Sequence, residues 1–235
     1  MMLQLAFNLP NKPALGRKNF IISNSNRDAV TWIDSWPNWP VACNGLNVFG
    51  PKSSGKSHLG AVWQSRSKAV SLNNPIVDIM KVPEILRNKK NVIIDGFDES
   101  WPGIPILHLY NLIKEREGFL IIISSKPVAQ LGVLPADLSS RLSTLPVVEI
   151  KQPDDELIKQ VMQKLFEDRQ VIVPSEVLDY LVIRMERSFE EAFKLVARLD
   201  AVALSENNSI TVALASRVLR NVLETKLIQR RQMGS

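Results

Sequence analysis

The 235-residue chain has a single cysteine, Cys43. No intrachain disulfide and no cysteine metal cluster can therefore form. No apolar run approaches the length that crosses a bilayer. The N-terminus lacks the basic region, apolar stretch and small-residue cleavage site of a signal peptide, so a cytoplasmic location is expected. There is no internal repeat and no low-complexity stretch. What is present is ordinary for a globular protein: 45 % of residues are hydrophobic. The length suits one large α/β domain, or one domain with a small appendage. The net charge is +5 and the pI about 9.4. A basic balance can signal nucleic acid, but Lys and Arg are spread along the chain. The only tight group is Lys226, Arg230 and Arg231. A solvated surface with a basic tail is the favoured reading, and contact of that tail with DNA is left open.

Five short apolar runs are expected to be strands: Leu46-Asn47-Val48-Phe49, 68–72, 91–95, 119–123 and 146–150. Their continuous β-branched character suits strands buried on both faces, as in parallel sheets. Helical segments lie between them, as βαβ units require. A helix is expected from about Ser25 to Ser35. After Ile150 the pattern becomes purely helical. Leu157, Val161 and Leu165 form one apolar stripe, and Val177, Leu178, Leu181 and Val182 a second. Ser188-Phe189-Glu190-Glu191 reads as a capping box that starts a third helix. A fourth runs from Val212 to about Arg220. The expected organisation is an extended arm over 1–18, an α/β nucleotide-binding domain with a five-stranded parallel sheet over 19–152, and a small all-helical domain over 153–235. Pro10 and Pro13 keep the arm from regular structure.

The sharpest signal is Gly50-Pro51-Lys52-Ser53-Ser54-Gly55-Lys56-Ser57. It matches the P-loop pattern at every fixed position, follows a predicted strand and opens a predicted helix at His58. The glycines allow backbone angles that other residues resist. The loop then turns its amides toward phosphate oxygens, and the helix N-terminus adds its own. Lys56 supplies a point charge to the β- and γ-phosphates, and Ser57 can coordinate Mg²⁺. Asp95, after Val92-Ile93-Ile94, stands where a Walker B carboxylate would hold that ion; a plain turn aspartate is the alternative. The next residue is Gly96, where many P-loop ATPases carry a second carboxylate. Asp98 and Glu99 follow in a loop. Hydrolysis by the chain alone is therefore expected to be slow or absent.

In this order the motifs resemble the AAA+ family and, within it, the DnaA-like branch, nearest to the Hda-type regulators that inactivate the bacterial initiator DnaA. The resemblance runs from about residue 17 to about 223. It implies a AAA+ P-loop domain with a helical lid, binding ADP or ATP with Mg²⁺. Phe20-Ile21-Ile22-Ser23-Asn24-Ser25-Asn26-Arg27-Asp28-Ala29 looks like the family's box beside the adenine, so Phe20, Ile21 and Asn26 are expected in the base pocket. Ser124 and Ser125 sit where the family has sensor 1; a capping serine is the alternative. Arg141, in Asp137-Leu138-Ser139-Ser140-Arg141-Leu142, is similar to the arginine finger that reaches a neighbour's nucleotide; the alternative is a surface arginine paired to Asp137. The lid departs from the pattern. Glu190 falls at the sensor 2 arginine, with Arg187 as the residue that could compensate. Gln4-Leu5-Ala6-Phe7 resembles a sliding-clamp docking peptide; the alternative is that Leu5 and Phe7 pack on the chain itself.

The resemblance thus implies a negative regulator of replication initiation, not an enzyme on its own account. It would dock on the DNA polymerase sliding clamp through Gln4, Leu5 and Phe7 and stimulate ATP hydrolysis by DnaA through Arg141. Association is expected head-to-tail or as a self-pairing dimer. No helix-turn-helix is seen after the lid, so duplex-specific recognition by the chain is not expected. The second expectation is a self-contained AAA+ ATPase acting as a loader, against which Gly96 and Glu190 both count.

Overall fold

A computed structural model describes residues 17, 20–40, 44–132 and 134–233. The clamp-peptide residues Gln4, Leu5 and Phe7 lie outside them. Five parallel strands form one sheet: β1 (Gly45–Phe49), β2 (Val70–Leu72), β3 (Val92–Phe97), β4 (Leu120–Ser124) and β5 (Val147–Glu149), in the order β2-β3-β4-β1-β5. Pairing register joins Val48 to Ile123 on one side of β1 and to Val148 on the other. Every residue of β4 is buried, as expected of a strand covered on both faces.

The cover is helical. α1 (Arg27–Ser35) and α2 (Lys56–Ser67) lie over one face. Ile33, Trp63, Ile93, Ile121 and Ile123 meet there. α3 (Val82–Leu86), α4 (Gly103–Glu115) and α5 (Ala136–Leu142) lie over the other, with Leu86, Ile94, Leu109, Leu120 and Ile122. Successive strand residues thus serve opposite cores. Trp36 sets its ring edge-on to Trp63 and Phe119, at 5.9 and 5.8 Å between centroids. Trp39, Trp63 and Trp101 are buried.

The α/β unit is followed by α6 (Asp155–Glu167), α7 (Ser175–Val182), α8 (Phe189–Glu206) and α9 (Val212–Met233). These share a separate core around Ile158, Phe166, Leu181, Val196, Leu199 and Ala215. Caps fix where they start. Asp154 accepts from Leu157 N–H at 2.8 Å and Ser188 from Glu191 N–H at 3.2 Å, each satisfying one free amide of a first turn. The expected capping box at Ser188 is present in that half.

Several boundaries differ from expectation; β2 starts at Val70 rather than 68, and α2 opens at Lys56 rather than His58. β3 continues past Asp95 to Phe97, because Gly96 takes φ +86° and bulges while Phe97 pairs with Ser124. α1 starts at Arg27, with Ser25 and Asn26 in a turn. α9 runs to Met233, well beyond Arg220. Between β2 and β3 there is room only for a 3-10 turn (Ile79–Lys81) and the five residues of α3. No helix among the described residues is long and apolar enough to cross a membrane.

Candidate nucleotide site

The phosphate loop leaves β1 at its carboxyl end, between β4 and β5. Open α/β sheets offer ligands a crevice at such a position. Gly50 has φ +150°, and a Cβ there would stand 2.0 Å from Ile150 O. No other residue fits. Gly55, at φ +98°, caps α2 in the left-handed region, and a Cβ there would lie 3.1 Å from the Phe189 ring. Lys56 opens α2. Its Nζ donates to Gly50 O at 2.7 Å and Pro51 O at 2.5 Å, so the lysine head is folded against its own loop. Burial lowers the Lys56 pKa, and nearby Asp95 pushes back. Lys52 and Ser57 are exposed, and Ser54 is buried.

Over this loop lies a cavity of about 450 Å³, within the size range of small-molecule sites. Its floor is Ser53, Gly55, Lys56, Ser57 and His58. One wall is Phe20, Ile21 and Asn26. The opposite wall comes from the helical domain: Leu157, Val161 and Leu165 of α6, and Phe189 and Phe193 of α8. Lys164, Asp168, Glu190 and Lys194 add charge. Apolar walls over a phosphate-loop floor suit a flat base joined to phosphates. Asn26 builds the wall rather than facing a ligand. Its amide donates to Ile21 O and its oxygen accepts from Ser23 N–H, both at 3.0 Å. His58 packs edge-on to Phe20, with ring centroids 5.0 Å apart, and burial lowers its pKa.

The helical domain is docked on the loop itself. Phe189 N–H donates to Ser53 O at 3.4 Å, and Ser53 Oγ donates to Glu190 Oε2 at 3.0 Å. Glu190 Oε1 accepts from Lys194 Nζ at 2.7 Å. Glu190 pKa is lowered by Lys194 first, then by Ser53.

The structure gathers Ser53, Gly55, Lys56 and Ser57 of the loop with Phe20, Ile21, Asn26 and His58 around one cavity, which Gly50, Pro51, Lys52, Ser54 and Asp95 do not line. Asp95 is close to Lys56, and its carboxylate makes no hydrogen bond to another described residue. Its carboxylate and the exposed Ser57 hydroxyl are a hard-oxygen set that fits Mg²⁺. Ser124, the residue expected at sensor 1, does not line the cavity. It is 1 % exposed, accepts from Asn47 Nδ2 at 2.9 Å and donates to Lys126 O at 2.7 Å, so its hydroxyl is held inside the turn. Arg187, the residue expected to stand in for a sensor 2 arginine, is engaged outside the cavity. Its guanidinium is paired to Asp155 at 2.7 and 2.8 Å, and it does not line the cavity. Two lid cations do: Lys164 of α6, 3.6 Å from Asp168, and Lys194, one turn after Glu190. Arg141 also lies off the cavity. It is half-buried at the end of α5, 3.9 Å from Asp137, with its Nε enclosed and without a hydrogen-bond partner. The carboxylates after Asp95 are engaged elsewhere: Asp98 accepts from Ser100 N–H and Oγ at 2.9 and 2.5 Å, and Glu99 pairs with Lys126 at 2.9 Å.

Sequence reasoning missed the lid wall. The stripe Leu157, Val161, Leu165 signals only packing, and one helix face serves both the core and the cavity. Phe189, Phe193 and Lys194 carry no local signal.

Residues 154–219 match the family model described as Hda, lid domain. Among solved structures, the chain is similar to domain III of the Thermotoga maritima replication initiation protein DnaA, with TM-score 0.74 and 20 % identity over 91 % of this chain and 98 % of that one. Aquifex aeolicus DnaA, bound to AMPPCP, gives TM-score 0.64 and 18 % identity over 78 % of this chain and 64 % of that one. The Thermotoga maritima RuvB Holliday junction branch migration motor gives 0.66 and 14 % over 87 % and 71 %. At these identities the likeness to the structures is one of fold.

Proposed function

We propose, for a chain that is an AAA+ protein of the DnaA-like kind with an Hda-type lid, the role of a DnaA-related regulator of replication initiation whose chemistry acts on a partner's nucleotide. In this reading the cavity between loop and lid holds ADP or ATP. The base lies against Phe20, Ile21 and the α6 stripe, and the phosphates lie in the loop amides beside Lys56. Ser57 and Asp95 would hold Mg²⁺, which when bound neutralises phosphate charge. The observation that carries the proposal is the position of Arg141. It stands outside its own cavity, with a partly exposed guanidinium.

The supporting physics is a division of labour. Phosphoryl transfer needs an oriented water and a cation at the transferring group. Here Asp98 and Glu99 are tied by Ser100 and Lys126, Gly96 offers no carboxylate, and Glu190 lies over the loop. The chain's own site is suited to gripping a nucleotide that bridges the two domains. An arginine presented from outside to ATP on DnaA would supply the missing cation there. Docking on the sliding clamp through Gln4, Leu5 and Phe7 would bring the two together on DNA. Association with DnaA through the finger edge is head-to-tail in kind.

ATP turnover by this protein alone, compared with turnover in the presence of DnaA and DNA-loaded clamp, tests the proposal. The expected result is negligible turnover alone and strong stimulation in the full mixture. Brisk turnover alone, unchanged by DnaA, would instead establish the self-contained ATPase.

A further inference from the structure

The lid residue nearest the phosphate loop is a carboxylate, and its nearest neighbour is an ammonium. Glu190 accepts from Ser53 Oγ at 3.0 Å through one oxygen and from Lys194 Nζ at 2.7 Å through the other. Glu190 and Lys194 are one turn apart on α8, both line the cavity, and both heads are about half exposed. Lys194 also stands 3.8 Å from Glu191. The Phe189 N–H on Ser53 O, beside this pair, fixes α8 to the loop.

We propose that Glu190 and Lys194 form a charge-exchange pair at the phosphate end of the nucleotide: Lys194 is the lid's phosphate-binding cation, and Glu190 holds it in place while competing with phosphate for Ser53. The inference rests on the nucleotide-binding reading of the cavity. Ser53 is a loop residue in the left-handed region, φ +60°, so its position is set by the loop. A phosphate entering the loop brings oxygens into the neighbourhood of the Ser53 hydroxyl that Glu190 already uses. Two anions cannot share one hydroxyl proton, so the carboxylate gives way. Its release frees the Lys194 ammonium, a compact charge on a flexible four-carbon stem, to turn toward the phosphate. Arg187 cannot take this part while it is paired to Asp155. Loss of the Glu190 bond removes one of the two hydrogen bonds between α8 and Ser53, so phosphate occupancy alters how the lid sits on the loop.

The test is equilibrium binding of fluorescent adenosine mono-, di- and triphosphate to the full chain and to Glu190→Gln, Lys194→Met and the double variant. Glu190→Gln removes the competing charge and frees Lys194; di- and triphosphate affinity should rise about two- to fivefold, the scale of an exposed charge pair. Lys194→Met leaves Glu190 unneutralised and removes the cation; affinity should fall by a similar factor, more for each added phosphate. The double variant should lie between the singles, with a clear coupling between the two changes. Equal effects on all three nucleotides, or a loss of affinity in Glu190→Gln, would overturn the pair's role and leave it a helix-surface ion pair. Failure of the nucleotide reading looks different: the unaltered chain would bind none of the three, and Lys56→Ala would change nothing.

Discussion

Asn47 donates its side-chain amide to Ser124 Oγ at 2.9 Å, joining β1 to the end of β4. The same amide donates to Ile122 O at 3.1 Å, and the Asn47 oxygen accepts from Val128 N–H at 3.0 Å. Asn47 is completely buried. A buried amide whose hydrogen-bonding groups are matched ties together segments that apolar packing alone would leave free to slide. Here it fixes the turn after β4, from which Lys126 reaches Glu99.

Replacing Asn47 by Leu keeps the branched outline of the side chain and deletes the network. Val128 N–H is then left buried and unpaired. The expected loss is about 1–3 kcal/mol of stability, read as a lower urea midpoint with an unchanged slope. Ser124→Ala removes one member and should cost less. An Asn47→Leu protein as stable as the parent would show that the turn is held by packing.

The strands of the fold were legible because consecutive β-branched residues such as Val92-Ile93-Ile94 have few other uses. The asparagine inside the β1 run was visible as a polar residue among apolar ones, but its three partners lie 75 or more positions away. No local pattern specifies them. The loop was legible for the opposite reason: Gly50 and Gly55 are required by backbone angles local to the motif. The lid wall was not. Phe189, Glu190 and Lys194 reach the cavity only because α8 docks on Ser53, a contact made across the domains. Arg187 had the right chemistry and a nearby place in the chain, yet Asp155 holds it.

His58 gives a pH dependence of stated sign. Burial lowers its folded pKa below the ordinary 6.5. As pH falls through that ordinary value, the unfolded chain takes up a proton that the folded chain does not. Stability is therefore lost on acidification, and the loss is complete only below the folded pKa. His58→Phe removes the group and preserves an edge-on ring against Phe20. Unfolding of parent and variant should be compared at about pH 7 and about pH 5.5. The parent should lose more stability on acidification than the variant. Parallel profiles would mean that the His58 environment differs from the one described.

The arm yields a separable prediction. Gln4→Ala with Phe7→Ala should abolish capture by immobilised sliding clamp. The thermal midpoint and nucleotide affinity should not move, because the role proposed for both side chains is contact with the clamp. A double variant that still binds clamp, or one that melts early, would place these side chains on the chain's own surface instead.

Arg141 carries the last prediction. Its Nε is enclosed without a partner, Asp137 is 3.9 Å away, and Tyr110 lies with its ring centroid 6.0 Å from the guanidinium carbon. That is loose support for a planar cation, consistent with a side chain whose main partner is elsewhere. Arg141→Ala should leave this protein's own nucleotide affinity unchanged, since the residue does not line the cavity. Stimulation of DnaA hydrolysis should fall by about 10³-fold or more, the scale of an arginine finger. Arg141→Lys keeps the charge but loses the fork of donors, so only a small part of the stimulation should return. A structural role would give the reverse pattern: the alanine variant would lower the melting point, and lysine would restore it together with full stimulation.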